Sequence, residues 1–224
     1  MRALYGDSGY FNVGYWDDGC RDVARACDRM VDVLASSVPS GAHRILDAGC
    51  GVGAGSARLA MLFPEAQVIA GNLSHWQLME TRRRGVQAAI MMDAVHLPIA
   101  SGALDALIAL ESAQHFDTRA LFFAEAYRAL RPGGVIALAD MLFHDREPIG
   151  AWMLPPENQI AGPDAYAERL AAAGFVEVEV KDVTDRTWRP YCAAMRKVFT
   201  GAEEAVESYD RSLSFYLIAS ARKA

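Results

Sequence analysis

Two sets of residues in this chain have the types and spacing to do chemistry. The first is a glycine-rich run, Ile45-Leu46-Asp47-Ala48-Gly49-Cys50-Gly51-Val52-Gly53. Glycines at alternate positions let the backbone turn tightly and approach a ligand closely. A helix starting behind them offers free amide groups at its N-terminus. Dinucleotide dehydrogenases carry a related turn spaced Gly-x-Gly-x-x-Gly, so the run alone indicates a nucleotide cofactor and no more. The second set is titratable. His115 follows the fourth strand-like run and Asp140 the fifth. Open α/β sheets bind ligands at these carboxyl ends. Histidine titrates near neutrality and suits proton removal from a hydroxyl or an amine. Asp140 would orient that imidazole or bind substrate directly. Two structural roles compete: His115 as a cap on the helix starting near Thr118, and Asp140 as a strand-end turn residue. His144 and Asp145 are more exposed candidates.

The elements that must position these groups alternate. Strand-like runs fall at 44–48, 67–71, 88–92, 105–110 and 135–139, with helix-like segments at 53–63, 74–84 and 118–130. The short apolar runs read as parallel strands buried on both faces. The alternation predicts a doubly wound α/β sheet. Upstream, Val23, Ala26, Cys27, Met30, Val31 and Leu34 form a helical stripe that Pro39 and Gly41 end. Residues 1–20, rich in Gly, Asp and aromatics, read as a loop or lid. Arg131-Pro132-Gly133-Gly134 reads as a turn. Residues 141–163 hold four of the nine prolines. A helix at 164–173, a strand at 175–182, a two-piece helix over 189–210 broken near Gly201, and a last strand at 215–221 complete the reading. We expect one domain over 1–224: an N-terminal lid and helix (1–40), a cofactor-binding half (43–140) and a substrate-shaping half (141–224).

Composition narrows the class. The 224 residues are 52% hydrophobic and 22% charged, proportions of a globular chain. A net charge of -6 gives no basic footprint for nucleic acid. No apolar stretch reaches the roughly 18 residues of a membrane span, and the N-terminus lacks the apolar run of a secretory signal. We expect a cytoplasmic protein. Arg82-Arg83-Arg84 precedes Gly85, where cations complement a helix end; a partner or phosphate contact is the other reading. Cys20, Cys27, Cys50 and Cys192 form no Cys-x-x-Cys pair and no zinc spacing, so no metal is expected. Cys20 and Cys27, seven apart, read as small apolar helix residues, with an arsenic or metal thiolate site as the alternative.

Further motifs accompany the glycine run. Asp47 stands just ahead of it. Met92-Asp93-Ala94-Val95-His96-Leu97-Pro98 ends the third strand-like run, and Ala109-Leu110-Glu111-Ser112-Ala113-Gln114-His115-Phe116 the fourth. This set resembles the class I S-adenosylmethionine-dependent methyltransferases. It is most similar to the small-molecule branch with the ubiquinone/menaquinone C-methyltransferases, sterol methyltransferases and natural-product sugar O-methyltransferases. The likeness spans roughly 10–182 and is strongest over 43–140. It implies a Rossmann-like sheet of seven strands, mostly parallel with a terminal antiparallel strand, helices on both faces and an N-terminal helical lid.

The resemblance also implies residue roles. Gly49, Gly51 and Gly53 would pass under the methionine part of S-adenosylmethionine, with Asp47 orienting that loop. Asp93 would accept from the adenine amino group, and the Ala94 amide would face a ring nitrogen. The Leu110 backbone would take the cofactor's ammonium. Glu111 would bring a carboxylate near the sulfonium or the substrate. Where many relatives carry an acidic residue for the ribose, this chain reads Ala70-Gly71-Asn72-Leu73-Ser74. Asn72 can still donate and accept, with Leu73 and Gln77 also at the cofactor; Asn72 as a turn residue only is the alternative. The missing carboxylate weighs against NAD. In the lid stretch Asn12-Val13-Gly14-Tyr15-Trp16, aromatic faces would suit a sulfonium cation, worth about 0.5–2 kcal/mol. Tyr15 would bond the cofactor carboxylate, unless these aromatics are packing anchors.

The expected activity is transfer of a methyl group from S-adenosylmethionine to a small-molecule acceptor, on oxygen or nitrogen, in secondary metabolism. The alternatives are C-methylation of a quinone or lipid-like acceptor and a non-catalytic cofactor-binding module. Glu111-Ser112-Ala113-Gln114 lacks the Asn/Asp-Pro-Pro-Tyr pattern of DNA amino-methyltransferases. Asp140, Asp145 and Glu147 lack convincing spacing for a metal-dependent O-methyltransferase. Trp152, Trp188 and Tyr191 would line an apolar substrate pocket or belong to the core. Trp152, Met153, Leu154 and the paired prolines within 141–162 suggest an apolar or aromatic acceptor. We expect a monomer or homodimer.

Overall fold

The computed structural model describes residues 2–150 and 153–224, so Trp152 lies outside the described residues. The chain opens with a single helical turn, α1 (Arg2–Tyr5), and an extended strap. Helix α2 (Val23–Ala35) follows, where Asp22 caps the N-terminus by accepting from the Arg25 amide at 2.7 Å. Its predicted apolar stripe is the buried face: Ala26, Cys27 and Met30 are fully enclosed.

From β1 (Arg44–Ala48) onward the elements are α3 (Ala54–Leu62), β2 (Gln67–Asn72), α4 (His75–Arg83), β3 (Ala89–Met91), β4 (Leu104–Leu110), α5 (Arg119–Ala129), β5 (Leu130–Phe143), α6 (Pro163–Ala172), β6 (Phe175–Asp182), α7 (Trp188–Val198), α8 (Glu203–Ser212) and β7 (Leu213–Lys223); strand and helix alternate except at β3–β4 and α7–α8. The sheet has seven strands in the order β3-β2-β1-β4-β5-β7-β6. Only β7 runs antiparallel, paired with β5 on one side and β6 on the other. This is the expected fold class. Helices cover both faces, because adjacent strand residues point to opposite sides. Ile45 joins a core with Met30 and Trp188 from α2 and α7; Leu46 joins the opposite core with Phe122, Phe123 and Tyr166 from α5 and α6. Trp188 is therefore core.

The strand order reverses between β1 and β4, which opens a crevice at their carboxyl ends. The glycine loop, Asn72, Leu110, Glu111 and His115 lie near those ends. The expected turn at 131–134 proves to be a bulge inside the longer β5. Leu104 pairs with Leu130 and Ala106 already pairs with Val135, so four residues loop out opposite Asp105. The Arg131 guanidinium holds Asp105 across the bulge at 2.5 Å. The two-piece helix is borne out as α7 and α8, with Gly201 at positive φ between them.

The arginine cluster is absorbed by local contacts. Arg82 donates to the Ala89 carbonyl (2.7 Å), Arg83 pairs with Glu80, and Arg84 donates to the Ser8 carbonyl in the strap (3.0 Å). All four cysteines are free; Cys27 donates to the Asn12 carbonyl in the core, and Cys20 is half-buried. Among the described residues no helix is long and apolar enough to cross a membrane.

Candidate active site

A cavity of about 620 Å³ opens over the carboxyl ends of β1, β2, β4 and β5. Its floor is the glycine loop. Gly49 sits at φ +82, and a Cβ there would lie 2.4 Å from the Ser112 Cβ. Gly53 sits at φ +85, where a Cβ would lie 2.6 Å from the Thr81 methyl. Only glycine permits both the conformation and the approach. The Gly49 and Cys50 amides donate to the Gly71 carbonyl at 2.9 and 3.1 Å, tying the loop to β2. Beneath it Asp47 accepts from the Ser56 hydroxyl at 2.5 Å, and burial pushes its carboxyl up to about 6.

Most of the expected cofactor residues line this cavity: Asp47, Gly49, Gly51, Asn72, Leu73, Gln77, Ala94 and Leu110. Asn72 uses both ends of its amide, donating to the Gly51 carbonyl (3.4 Å) and accepting from the Ser74 amide (3.1 Å). It is thus a turn residue and a wall residue together. Gly53 is not part of the lining; its role is the close packing of loop on α4. Asp93 is not part of the lining either: its carboxylate accepts the Val95 amide at 3.1 Å, while Met92 and Ala94 on either side face the cavity.

Tyr15 requires correction. Its amide donates to the Ala26 carbonyl, and its side chain lines a separate surface cleft with Arg25, Asp28 and Arg58. The cause is Gly14, at φ +78, where a Cβ would meet Ala26 at 2.6 Å. The strap presses onto α2 there and turns Tyr15 away. Tyr10 and Phe11 face the cavity instead, with Phe11 over Gly51.

Glu111 lines the cavity at φ +51, a conformation few side chains adopt. Its Oε1 accepts the Val13 amide of the strap (2.8 Å) and the Tyr216 hydroxyl (2.6 Å). Burial, against those two hydrogen bonds, pushes the carboxyl up to about 7. The lining holds two carboxylates, Asp47 and Glu111, and no lysine or arginine among the described residues. That electrostatic balance fits a cofactor bearing a sulfonium and an ammonium.

His115 ends the one-turn helix Ala113–His115 and lines the cavity as an exposed side chain. It does not cap the next helix; Thr118 does, accepting from the Leu121 amide. His115 Nδ1 lies 2.8 Å from the Met153 carbonyl, which can only accept. In a neutral ring that contact places the proton on Nδ1 and leaves Nε2 as the unprotonated nitrogen. The Gln114 amide nitrogen lies 3.3 Å from Nε2.

Asp140 is the second correction. It is 0% exposed and outside the cavity lining. Arg119 grips both its oxygens (2.8 and 3.0 Å), Tyr166 donates to Oδ2 (2.7 Å) and the Met141 amide to Oδ1 (2.9 Å). A base needs a free lone pair within reach of a substrate, and Asp140 has neither. Its sequence position at a strand end matched the pattern, but nothing in the sequence announced that Arg119 would take it.

The outer part of the cavity is apolar and aromatic, with Met141, Phe143, Ile149, Met153, Tyr191 and Tyr209. Tyr191 and Met153 fell within the expected pocket residues. Tyr209 did not, since only the fold brings α8 beside β5. His144 lies away from the lining, 3.3 Å from the Ser214 hydroxyl.

Comparison with known proteins places this geometry. Residues 46–138 match the family model described as a methyltransferase domain. The chain is 32% identical over 208 residues to erythromycin 3''-O-methyltransferase of Saccharopolyspora erythraea, covering 83% of this chain and 68% of that protein. The [4+2]-cyclase SpnF superposes with a TM-score of 0.79 at 26% identity, over 99% of this chain and 91% of that one. A geranyl diphosphate methyltransferase solved in complex with SAM superposes with a TM-score of 0.79 at 23% identity, over 96% and 99%. The glycine loop over β1, the carboxylates facing a cavity without cations and these matches converge. The chain belongs to the S-adenosylmethionine-dependent methyltransferases.

Proposed function

We propose that the chain methylates a hydroxyl oxygen of a small, largely apolar natural product, with His115 as the base. One observation carries this reading: the His115 imidazole stands in the cavity wall with Nδ1 2.8 Å from the Met153 carbonyl, a contact that in the neutral ring leaves Nε2 unprotonated. The relative named erythromycin 3''-O-methyltransferase supports oxygen as the acceptor atom and a hydroxylated natural product as its source. When bound, S-adenosylmethionine supplies a methyl group already activated on a sulfonium. The residues of this chain would do the rest. Asp47, Gly49, Gly51, Asn72, Leu73, Gln77, Ala94 and Leu110 would hold the cofactor, and the strap at Tyr10 and Phe11 would exclude water. Met141, Phe143 and Tyr209 would seat the acceptor's apolar body. His115 Nε2 would take the hydroxyl proton as the oxygen–carbon bond forms and the carbon–sulfur bond breaks. In-line positioning alone contributes several kcal/mol.

Glu111 has a different part in this reading. Its Oε1 is committed to Val13 and Tyr216. It would hold the strap closed and balance cofactor charge instead of removing the substrate proton. The reading treats 1–224 as a single cytoplasmic domain acting on a free small molecule, without nucleic acid or membrane.

The test is a methyl-transfer panel with isotope-labelled S-adenosylmethionine. The acceptors are hydroxylated macrolide glycosides, polyketide phenols, amines and quinols, and NMR locates the label. Label on a hydroxyl oxygen supports the reading. Label confined to nitrogen or carbon, or no transfer to any class by cofactor-loaded protein, overturns it.

A further inference from the structure

Asn158 is a buried side chain, 4% exposed, that no part of the reaction above uses. It ends the one-turn helix Pro156–Asn158 in the segment between β5 and α6. Its amide is fully engaged with a distant stretch of chain. Oδ1 accepts the Arg119 backbone amide at 2.7 Å. Nδ2 donates to the backbone carbonyls of Gln114 (3.0 Å) and Phe116 (2.7 Å). Those two carbonyls flank His115. One acceptor and two donors are what a primary amide offers. A flipped amide would set its oxygen against two carbonyls, so the contacts themselves fix its orientation.

The same segment also touches the imidazole. Five residues before Asn158, the Met153 carbonyl meets His115 Nδ1 at 2.8 Å. The link between the two contacts is stiff. Pro155 and Pro156 fix its φ angles, Arg146 holds the Leu154 carbonyl at 2.6 Å, and the Asn158 amide donates to the Pro155 carbonyl at 3.0 Å. Behind it lies the buried network already described. The Asn158 carbonyl accepts from the Arg119 guanidinium, which Asp140 holds, and Asp140 in turn accepts from Tyr166.

We propose that Asn158 is a positioning residue for His115: it clamps the backbone on both sides of the histidine and, through the proline link, fixes the Met153 carbonyl that keeps the ring proton on Nδ1. Nε2 is thereby held as the unprotonated nitrogen, with the Gln114 amide nitrogen 3.3 Å from it. Asp140 contributes to the reaction through this chain of contacts, without touching substrate. The inference rests on His115 being the base, and its test separates the two.

Long-range proton–nitrogen NMR of protein labelled at its five histidines reads the tautomer directly. His115→Ala assigns the His115 ring, and spectra are taken where the imidazole is neutral, with and without S-adenosylhomocysteine. Wild-type protein should show the Nδ1–H tautomer at His115. Asn158→Ala and Asn158→Ser should shift that ring toward a mixture with the Nε2–H form while binding S-adenosylhomocysteine within about twofold of wild type. With an acceptor from the panel, kcat should fall about 10- to 100-fold, the scale for a misplaced catalytic group. An Nε2–H tautomer in wild-type protein overturns the proposal, and that measurement needs no variant to fold. Unchanged His115 signals in both folded variants also overturn it. If turnover survives His115→Ala while the ring still responds to Asn158, the clamp stands and the base assignment falls.

Discussion

Replacing Asp140 by asparagine should unfold this protein more than it alters its chemistry. The carboxylate is 0% exposed, and the Arg119 side chain that grips it is 3% exposed. Asparagine keeps the shape and an acceptor for Tyr166, but it removes the charge that offsets a buried guanidinium. Stripping one partner from a buried pair typically costs about 3–5 kcal/mol, because the remaining charge stays desolvated. For a chain of this size each kcal/mol moves Tm by about 2–4 °C. The expected drop is therefore about 6–20 °C, read by differential scanning fluorimetry or urea titration. The double variant Asp140→Leu with Arg119→Met removes both charges and should recover much of that loss. S-Adenosylhomocysteine affinity of the folded Asp140→Asn protein at low temperature should stay close to wild type, since Asp140 is outside the cavity lining. A Tm within about 2 °C of wild type would refute the reasoning, since the buried Arg119 charge would then need no partner.

Other consequences follow from the same geometry. Glu111, whose carboxyl is pushed up to about 7 from an ordinary 4.5, binds its proton more tightly folded than unfolded. Its contribution is thus present below pH 4.5 and is lost as pH rises through 7. That difference is worth at most about 3 kcal/mol, and Glu111→Gln should flatten the fall of Tm between pH 4.5 and 7; an identical slope would contradict the assignment. Tyr15→Phe should leave S-adenosylhomocysteine affinity unchanged by calorimetry, whereas Phe11→Ala, which removes the ring over Gly51, should weaken it several-fold. The reverse ranking would return Tyr15 to the site. Gly49→Ala places a methyl 2.4 Å from the Ser112 Cβ at positive φ, and should cost about 1–3 kcal/mol through strain and overpacking together with most cofactor affinity.

The sequence made the sheet legible because β1, β2 and β4 are short apolar runs with helices between and after them. Ser74 and Thr118 cap their helices as hydroxyl residues do. The glycine loop was legible for the same local reason: φ values near +80° at Gly49 and Gly53 restrict the choice of residue. What escaped depends on long-range pairing. Asp140 and His115 look alike in sequence, each a polar residue beyond a strand, yet Arg119 claims one and a Met153 carbonyl claims the other. Tyr15 looked apt because it is aromatic and near the lid, but the close approach of Gly14 to α2 decides which strap side chains face inward. Asn158 carried no motif, and its value comes from carbonyls some forty residues away.

The central claim is that His115 takes a proton from an acceptor hydroxyl during methyl transfer. The most direct measurement is single-turnover methyl transfer to a hydroxyl acceptor by His115→Ala, with S-adenosylhomocysteine affinity measured on the same preparation. The account predicts a rate lower by about 10²–10⁴, the usual worth of a positioned base, with affinity within about twofold of wild type. A variant that transfers methyl to oxygen at the wild-type rate would contradict it.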